Sequence, residues 1–228
     1  MIQLIDLCKD FEDKKVLKGI DTIFDAGKTN LIIGQSGSGK TVLMKCIVGL
    51  FAPSSGHILY DGRDIVRMTK KERVLLRREM GMIFQNAALF DSLTVEENVM
   101  FPLDMFSDDS YKERVRRAKF CLERVNLGDA GHKYPGEISG GMQKRVAIAR
   151  AIALKPKYLF CDEPNSGLDP KTSLVIDELI ESITQEYNTT TVINTHDMNS
   201  VMGIGDHILY IYEGHREWEG TKDEVMTA

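Results

Sequence analysis

One tryptophan, six prolines and four cysteines in 228 residues leave little room for several special classes of protein. The cysteines, at positions 8, 46, 121 and 161, form no C-x-x-C pair, which argues against a zinc site. They read as reduced, mostly buried thiols. No apolar stretch approaches the roughly 20 residues that a membrane-spanning helix needs. The opening Met1-Ile2-Gln3-Leu4-Ile5-Asp6 lacks the basic head of a secretory leader and meets an acid at once, so the chain is expected on the cytoplasmic side. Positive charge is not in excess either. Twenty-nine Lys and Arg against 34 Asp and Glu give a formal net charge of −5, which argues against a dedicated nucleic-acid binder. Repeats and low-complexity tracts are missing. What remains is an ordinary globular balance, 43% hydrophobic and 28% charged, in a length suited to one domain with a sub-domain.

The pattern along the chain alternates strands and helices. Ile2–Leu7 partly alternates, and Gly56–Gly62 is a strand bounded by glycines. Thr29–Ile33 ends at Gly34, and Tyr158–Cys161 ends at Asp162. Apolar runs of this kind, without polar alternation, suit strands buried on both faces of a parallel sheet. Val115, Ala118, Leu122 and Val125 follow one helix face, which should end near Asn126-Leu127-Gly128. Further helices are expected over about 141–154, stopping before Pro156, and 170–187. The β-branched run at 189–193 and the run 208–212 are strands, followed by a turn at Glu213-Gly214 and a short tail. This order implies an α/β domain on a largely parallel sheet.

Gly34-Gln35-Ser36-Gly37-Ser38-Gly39-Lys40-Thr41 matches G-x-x-x-x-G-K-[ST] at every fixed position, between a buried strand and a helix. The glycines let successive backbone N–H groups turn toward a phosphate, and the helix N-terminus adds about half a positive charge. Lys40 can reach the outer phosphates and the Thr41 hydroxyl can ligate Mg²⁺. A second anchor is Asp162-Glu163, at the carboxyl end of a buried strand, where α/β sheets bind ligands. One of these acids can serve Mg²⁺ and one can act as a general base. The residues alone do not assign which.

Together with Ile138-Ser139-Gly140-Gly141-Met142-Gln143-Lys144-Arg145, these motifs resemble the ATPase subunit of ABC transporters. The order matches as well: P-loop, Gln85 after an apolar strand, signature, Asp162-Glu163, Ser166-Gly167-Leu168-Asp169, then His196. The resemblance implies a P-loop NTPase fold with a RecA-like parallel-sheet core, an N-terminal antiparallel β sub-domain and a helical sub-domain carrying the signature. One domain, 1–228, would divide into a catalytic core (1–85 and 156–228) and the helical sub-domain (86–155). It implies ATP and Mg²⁺ as cofactors, with Gly34 to Thr41 around the phosphates and Thr41, Gln85 and Asp162 at the metal. Glu163 would be the catalytic base, His196 the switch histidine near the γ-phosphate, Lys40 and Gln85 catalytic partners, and Asp169 part of the loop crossing a dimer interface. Phe11 falls where the family puts an aromatic that stacks on adenine. Ser139, Gly140 and Gly141 of one subunit would close on the ATP held by a second, identical one. Ile138 and Met142 depart mildly from the family's Leu and Gln.

The partners implied are a second copy of the chain and integral-membrane permease subunits on separate chains, which would hold it peripherally at the cytoplasmic face of the inner membrane. Met82–Val99 and Phe101-Pro102-Leu103 look similar to the lipid-asymmetry (Mla-type) branch, and Glu163–Pro170 fits the same group. That branch implies phospholipid transport and lipid-binding accessory subunits, although the C-terminal extension often found there looks short or absent. The alternatives are lipoprotein release, cell division, small-solute import, or a soluble ABC ATPase acting on nucleic acid. Seven basic residues against three acidic ones over Arg63–Glu79 are read as a solvated helix face, with anionic lipid headgroups or nucleic acid as the other options.

Overall fold

The computed structural model describes residues 1–12 and 14–225. Two sheets form among them. The first is antiparallel, in the order β2 (Lys14–Phe24), β1 (Ile2–Phe11), β4 (Ser55–Tyr60), β5 (Arg63–Asp64). The second runs β10 (His215–Gly220), β9 (His207–Tyr212), β3 (Thr29–Ile33), β8 (Thr190–Asn194), β7 (Tyr158–Asp162), β6 (Met80–Ile83). Its pairs are parallel except for β10 on β9.

Successive residues of the central strands feed opposite cores. Ile32, Phe160, Val192 and Leu209 join one cluster, and Leu31, Leu159, Ile193 and Ile208 the other. This is why these strands show no polar alternation: neither face meets water. The first cluster holds α1 (Lys40–Ile47), whose Leu43, Met44, Cys46 and Ile47 pack among residues of both sheets. The second gathers α3 (Val95–Phe106), α4 (Tyr111–Arg124), α5 (Gly140–Ile152), α6 (Pro170–Tyr187) and α7 (Met198–Ile204). The remaining α-helices among the described residues are α2 (Lys70–Arg78) and the short α8 (Lys222–Val225).

Helix starts are set by local chemistry. Thr69 with Glu72, Thr94 with Glu97 and Ser110 with Glu113 form reciprocal capping boxes that open α2, α3 and α4. The basic α2 is a solvated face in which Leu76 alone is buried. The expected tail departs from observation. After Glu213 and Gly214, both at positive φ, the chain returns as β10, an edge strand. Its His215-Arg216-Glu217 sequence carries no apolar run because an edge strand is largely solvated. The four cysteines are free thiols, three of them buried. No helix among the described residues is long and apolar enough to cross a membrane.

Candidate nucleotide site

The loop between β3 and α1 wraps around the ammonium of Lys40, which donates to the carbonyls of Gly34 (2.8 Å) and Gln35 (3.0 Å). Gly34 has φ 149°, and a Cβ there would lie 2.2 Å from the Ile211 carbonyl oxygen, so no other residue fits. Gly37, at φ 80°, faces open space. Gly39 caps α1 without a side-chain acceptor, which leaves the first N–H groups of the helix for a ligand. The Ser38 hydroxyl is buried without a partner. An uncapped helix start, a buried free hydroxyl and a loop turned around a cation fit a phosphate chain. Burial lowers the pKa of the Lys40 ammonium, and the nearby carboxylates of Glu163 and Asp162 pull it back up.

Asp162 and Glu163 leave β7 beside this loop, and His196 follows β8. The Asn194 amide donates to Asp162 Oδ1 at 2.6 Å and lies 3.5 Å from Thr41 Oγ1, so one side chain spans the two oxygen groups expected at the metal. Two hard oxygen donors suit Mg²⁺, which is bound through few protein groups together with phosphates and water. Among the described residues no cluster of three or more His, Cys, Asp or Glu could hold a metal unaided. Glu163 sits at φ 50°, a left-handed conformation costing about 1 kcal/mol for a residue with a side chain. Its amide donates to the Asn194 carbonyl at 2.9 Å. His196 Nδ1 lies 2.9 Å from Glu163 Oε1 and 2.8 Å from Oε2. Against an ionised carboxylate Nδ1 must be the donor, which leaves Nε2 unprotonated in the neutral ring. The His196 side chain is 72% exposed, that of Glu163 17%. Gln85 Nε2 donates to Ser166 Oγ at 3.1 Å, joining the end of β6 to the loop after Glu163.

Ser139, Gly140, Gly141 and Asp169 border a different groove, with Gly167, Leu168, Lys171 and Thr172, and no residue of the 34–41 loop borders it. Ser139 caps α5 by accepting from the Met142 amide at 3.3 Å. Asp169 caps α6 through the Lys171 and Thr172 amides, both at 3.1 Å. The Thr172 hydroxyl, donating at 2.5 Å, holds the Asp169 carboxyl below its usual pKa. Phe11 ends β1, edge-on to Phe51 with ring centroids 5.4 Å apart, and carries the Lys9 ammonium 4.6 Å from its centre.

Sequence reasoning passed over three side chains that organise this site. Asn194 ends a buried parallel strand, the same kind of position that Asp162 holds. Lys144, on the buried face of α5, donates to the Gln85 carbonyl. Arg150, two turns further along α5, donates to the carbonyls of Ala87 and Ala88, both at 2.7 Å. Burial lowers the pKa of both cations, with Glu163 the main opposing charge at Lys144.

The family model described as ABC transporter matches residues 17–166. The chain is 35% identical over 227 residues to a probable ribonucleotide transport ATP-binding protein (mkl) of Mycobacterium leprae, covering all of this chain and 65% of that protein. It is 41% identical over 231 residues to the methionine import ATP-binding protein MetN of Carboxydothermus hydrogenoformans, covering 99% and 68%. Among solved structures it superposes on a dimeric ATP-binding cassette in a post-hydrolysis state bound to ADP and Pi, with TM-score 0.87, 33% identity and coverage of 97% and 99%. It also superposes on cbiO1 of Clostridium perfringens, part of the ABC transporter complex cbiONQ, with TM-score 0.92, 31% identity and coverage of 99% and 90%. The chain belongs to the ABC transporter family, whose cassettes hydrolyse ATP and use it with Mg²⁺. It spans 65% of the length of the mycobacterial protein, less than two thirds, and 68% of the methionine import protein.

Proposed function

We propose that this chain is the ATP-hydrolysing subunit of a bacterial ABC transporter, working as a homodimer at the cytoplasmic face of the membrane against permease subunits on other chains. The observation that carries the reading is the Glu163–His196 contact, set beside Lys40, Asp162 and a P-loop shaped for phosphate. Gly34, Gln35, Ser36, Gly37, Ser38 and Gly39 would line the phosphates with their backbone, Lys40 would neutralise them, and Thr41, Asp162 and Gln85 would hold Mg²⁺. When bound, Mg²⁺ would offset charge on the phosphate oxygens. Glu163 accepts the proton of the attacking water at its carboxylate, and the His196 Nδ1–H fixes how that carboxylate faces. Nε2 of His196 can donate to the outermost phosphate only where it too carries a proton, because an unprotonated ring nitrogen and a phosphate oxygen are both acceptors. Phe11 is the aromatic surface for adenine. Residues 86–155 act as the helical sub-domain that carries the signature.

Two further features support the assembly. The Ser139-Gly140-Gly141 groove does not border this chain's own P-loop, which suits a site completed by a second copy. Met82, Phe84, Phe90, Phe101 and Pro102 line a groove of about 550 Å³ next to the Gln85 loop, an apolar seat for a permease segment.

For the transported substrate, relatives named for methionine import and ribonucleotide transport support import of a small solute better than the phospholipid first expected. Phospholipid, with lipid-binding accessory subunits, stays a second reading that rests on the 82–103 segment and on Glu163–Pro170. Mass spectrometry of the permease complex that co-purifies, with its bound small molecules, decides between them. A complex retaining lipid and no solute favours the second reading. For the chemistry, Glu163→Gln is expected to retain ATP binding while turnover falls by about 100-fold or more. Unchanged turnover would remove Glu163 as the base.

A further inference from the structure

The loop that follows Glu163 and the helix that follows His196 meet a second time, inside the protein, at a polar contact that holds no nucleotide. Asn165, Asp177 on α6 and Ser200 on α7 are 9%, 4% and 2% exposed. Asn165 Nδ2 donates to Asp177 Oδ1 at 2.8 Å and to Ser200 Oγ at 3.0 Å. Ser200 Oγ donates in turn to Asp177 Oδ2 at 2.8 Å. Each oxygen of the carboxylate receives one bond, and neither bond comes from a cation.

Such a triangle is expensive. A buried carboxylate without a cation costs several kcal/mol unless hydrogen bonds offset its lost hydration. The pKa of Asp177 is accordingly pushed up by burial, against the pull of the Ser200 and Asn165 bonds and reinforced by Asp197 and Glu181. Asn165 Oδ1 is buried with no partner at all. An apolar side chain at 177 would avoid these costs. What the polar version supplies is direction, because three hydrogen bonds fix how three segments sit, which apolar contact does not.

The segments are the ones that carry the chemistry. Asn165 lies two residues beyond Glu163, in a turn closed by Ser166 N to Glu163 O (3.2 Å) and Leu168 N to Asn165 O (3.1 Å). Ser200 lies four residues beyond His196, on a helix capped by Asp197. Asp177 belongs to the helix capped by Asp169. The two loops are therefore fastened to each other on the solvent side by the Glu163–His196 contact and on the buried side by the triangle. Glu163, held at φ 50°, depends on its neighbours to stay there.

We propose that Asn165, Asp177 and Ser200 are positioning residues that lock the loop after β7 to α7, and so set the contact between Glu163 and His196. This rests on the reading of Glu163 as base and His196 as its partner.

Ser200→Ala removes one hydroxyl and leaves the fold its apolar contacts. It is expected to lower kcat about 10-fold, since small misplacements at a reacting centre cost that much or more, with KM for ATP changed by less than about twofold. The ring-¹⁵N NMR signals of His196, recorded without nucleotide, are expected to move. Asn165→Asp and Asp177→Asn are each expected to lower kcat. The double exchange, which again sets one amide against one carboxyl, is expected to recover most of it. An unchanged kcat and an unmoved His196 signal in Ser200→Ala would overturn the proposal, as would a double exchange no better than either single change. If Glu163→Gln kept full turnover, the reading of the base would fail, while the His196 signal in Ser200→Ala would still decide whether the triangle positions that ring.

Discussion

At the scale of single residues, Asn194 shows how much one amide can organise. Its Nδ2 reaches Asp162 Oδ1 at 2.6 Å and Thr41 Oγ1 at 3.5 Å, its Oδ1 is buried without a partner, and its backbone carbonyl receives the Glu163 amide. The carboxylate and the hydroxyl proposed for the metal, and the proposed base, all refer to this one position. A group that orients metal ligands without touching the metal changes affinity by about 10- to 100-fold when removed. Asn194→Ala is thus expected to raise the Mg²⁺ concentration for half-maximal ATPase activity by about tenfold. Binding of nucleotide in the absence of Mg²⁺ is expected to be retained. Magnesium titrations of turnover, beside nucleotide binding in chelator, check both. An unshifted Mg²⁺ requirement would show that Asp162 and Thr41 need no such bridge.

At the scale of elements, α5 does two jobs with one helix. Its first turn is the signature, and its buried face sends Lys144 and Arg150 to the carbonyls of Gln85, Ala87 and Ala88. Ala87 and Ala88 both sit at positive φ, 58° and 49°, so the loop after Gln85 is held in a conformation that alanine does not favour. Arg150→Met keeps much of the apolar stem and removes both bonds to the loop. A loss of about 2 kcal/mol in urea unfolding is expected from carbonyls left without their charged donor. A variant as stable as the parent would mean that the loop holds its shape unaided. Another helix, α6, shows where the sequence is legible. α6 is readable to its ends because Asp169-Pro170 opens it and Asn188, at φ 51°, closes it, both local signals. Strands β3 and β7 are readable because both faces are buried, and the P-loop because its eight residues are contiguous. β10 is not, since an edge strand carries charged residues that no periodicity marks. Nor are Lys144 on Gln85, Asn194 on Asp162, or the Asn165–Asp177–Ser200 triangle: each joins segments that only the finished sheet brings together.

At the scale of the whole molecule, the two proposed half-sites are lined by different residues. The P-loop and Glu163 belong to one; Ser139-Gly140-Gly141 and the Asp169 turn border the other groove. A solved cassette of the same fold is dimeric with ADP and Pi, and a two-fold axis would set each half-site against its complement. Ser139→Arg places a bulky cation where the partner's phosphate should arrive, but it also removes the helix cap, a cost of about 1 kcal/mol. Ser139→Asp separates the two effects: it keeps a capping acceptor and the favourable charge at a helix start, yet sets a carboxylate against the phosphate. Both variants are expected to bind nucleotide as the parent does and to lose most hydrolysis. Lys40→Ala is expected to lose hydrolysis for the opposite reason, an empty P-loop. Mixing Ser139→Asp with Lys40→Ala then distinguishes a shared site from a private one. If each site draws on both chains, the mixed dimer contains one intact pair, Lys40 of one chain facing Ser139 of the other, and equal mixing should return up to about a quarter of the parent activity. If each chain completes its own site, two dead variants stay dead in any ratio. Failure to recover activity at concentrations where light scattering shows dimers would therefore rule out a composite site, and with it the role assigned to Ser139, Gly140 and Gly141.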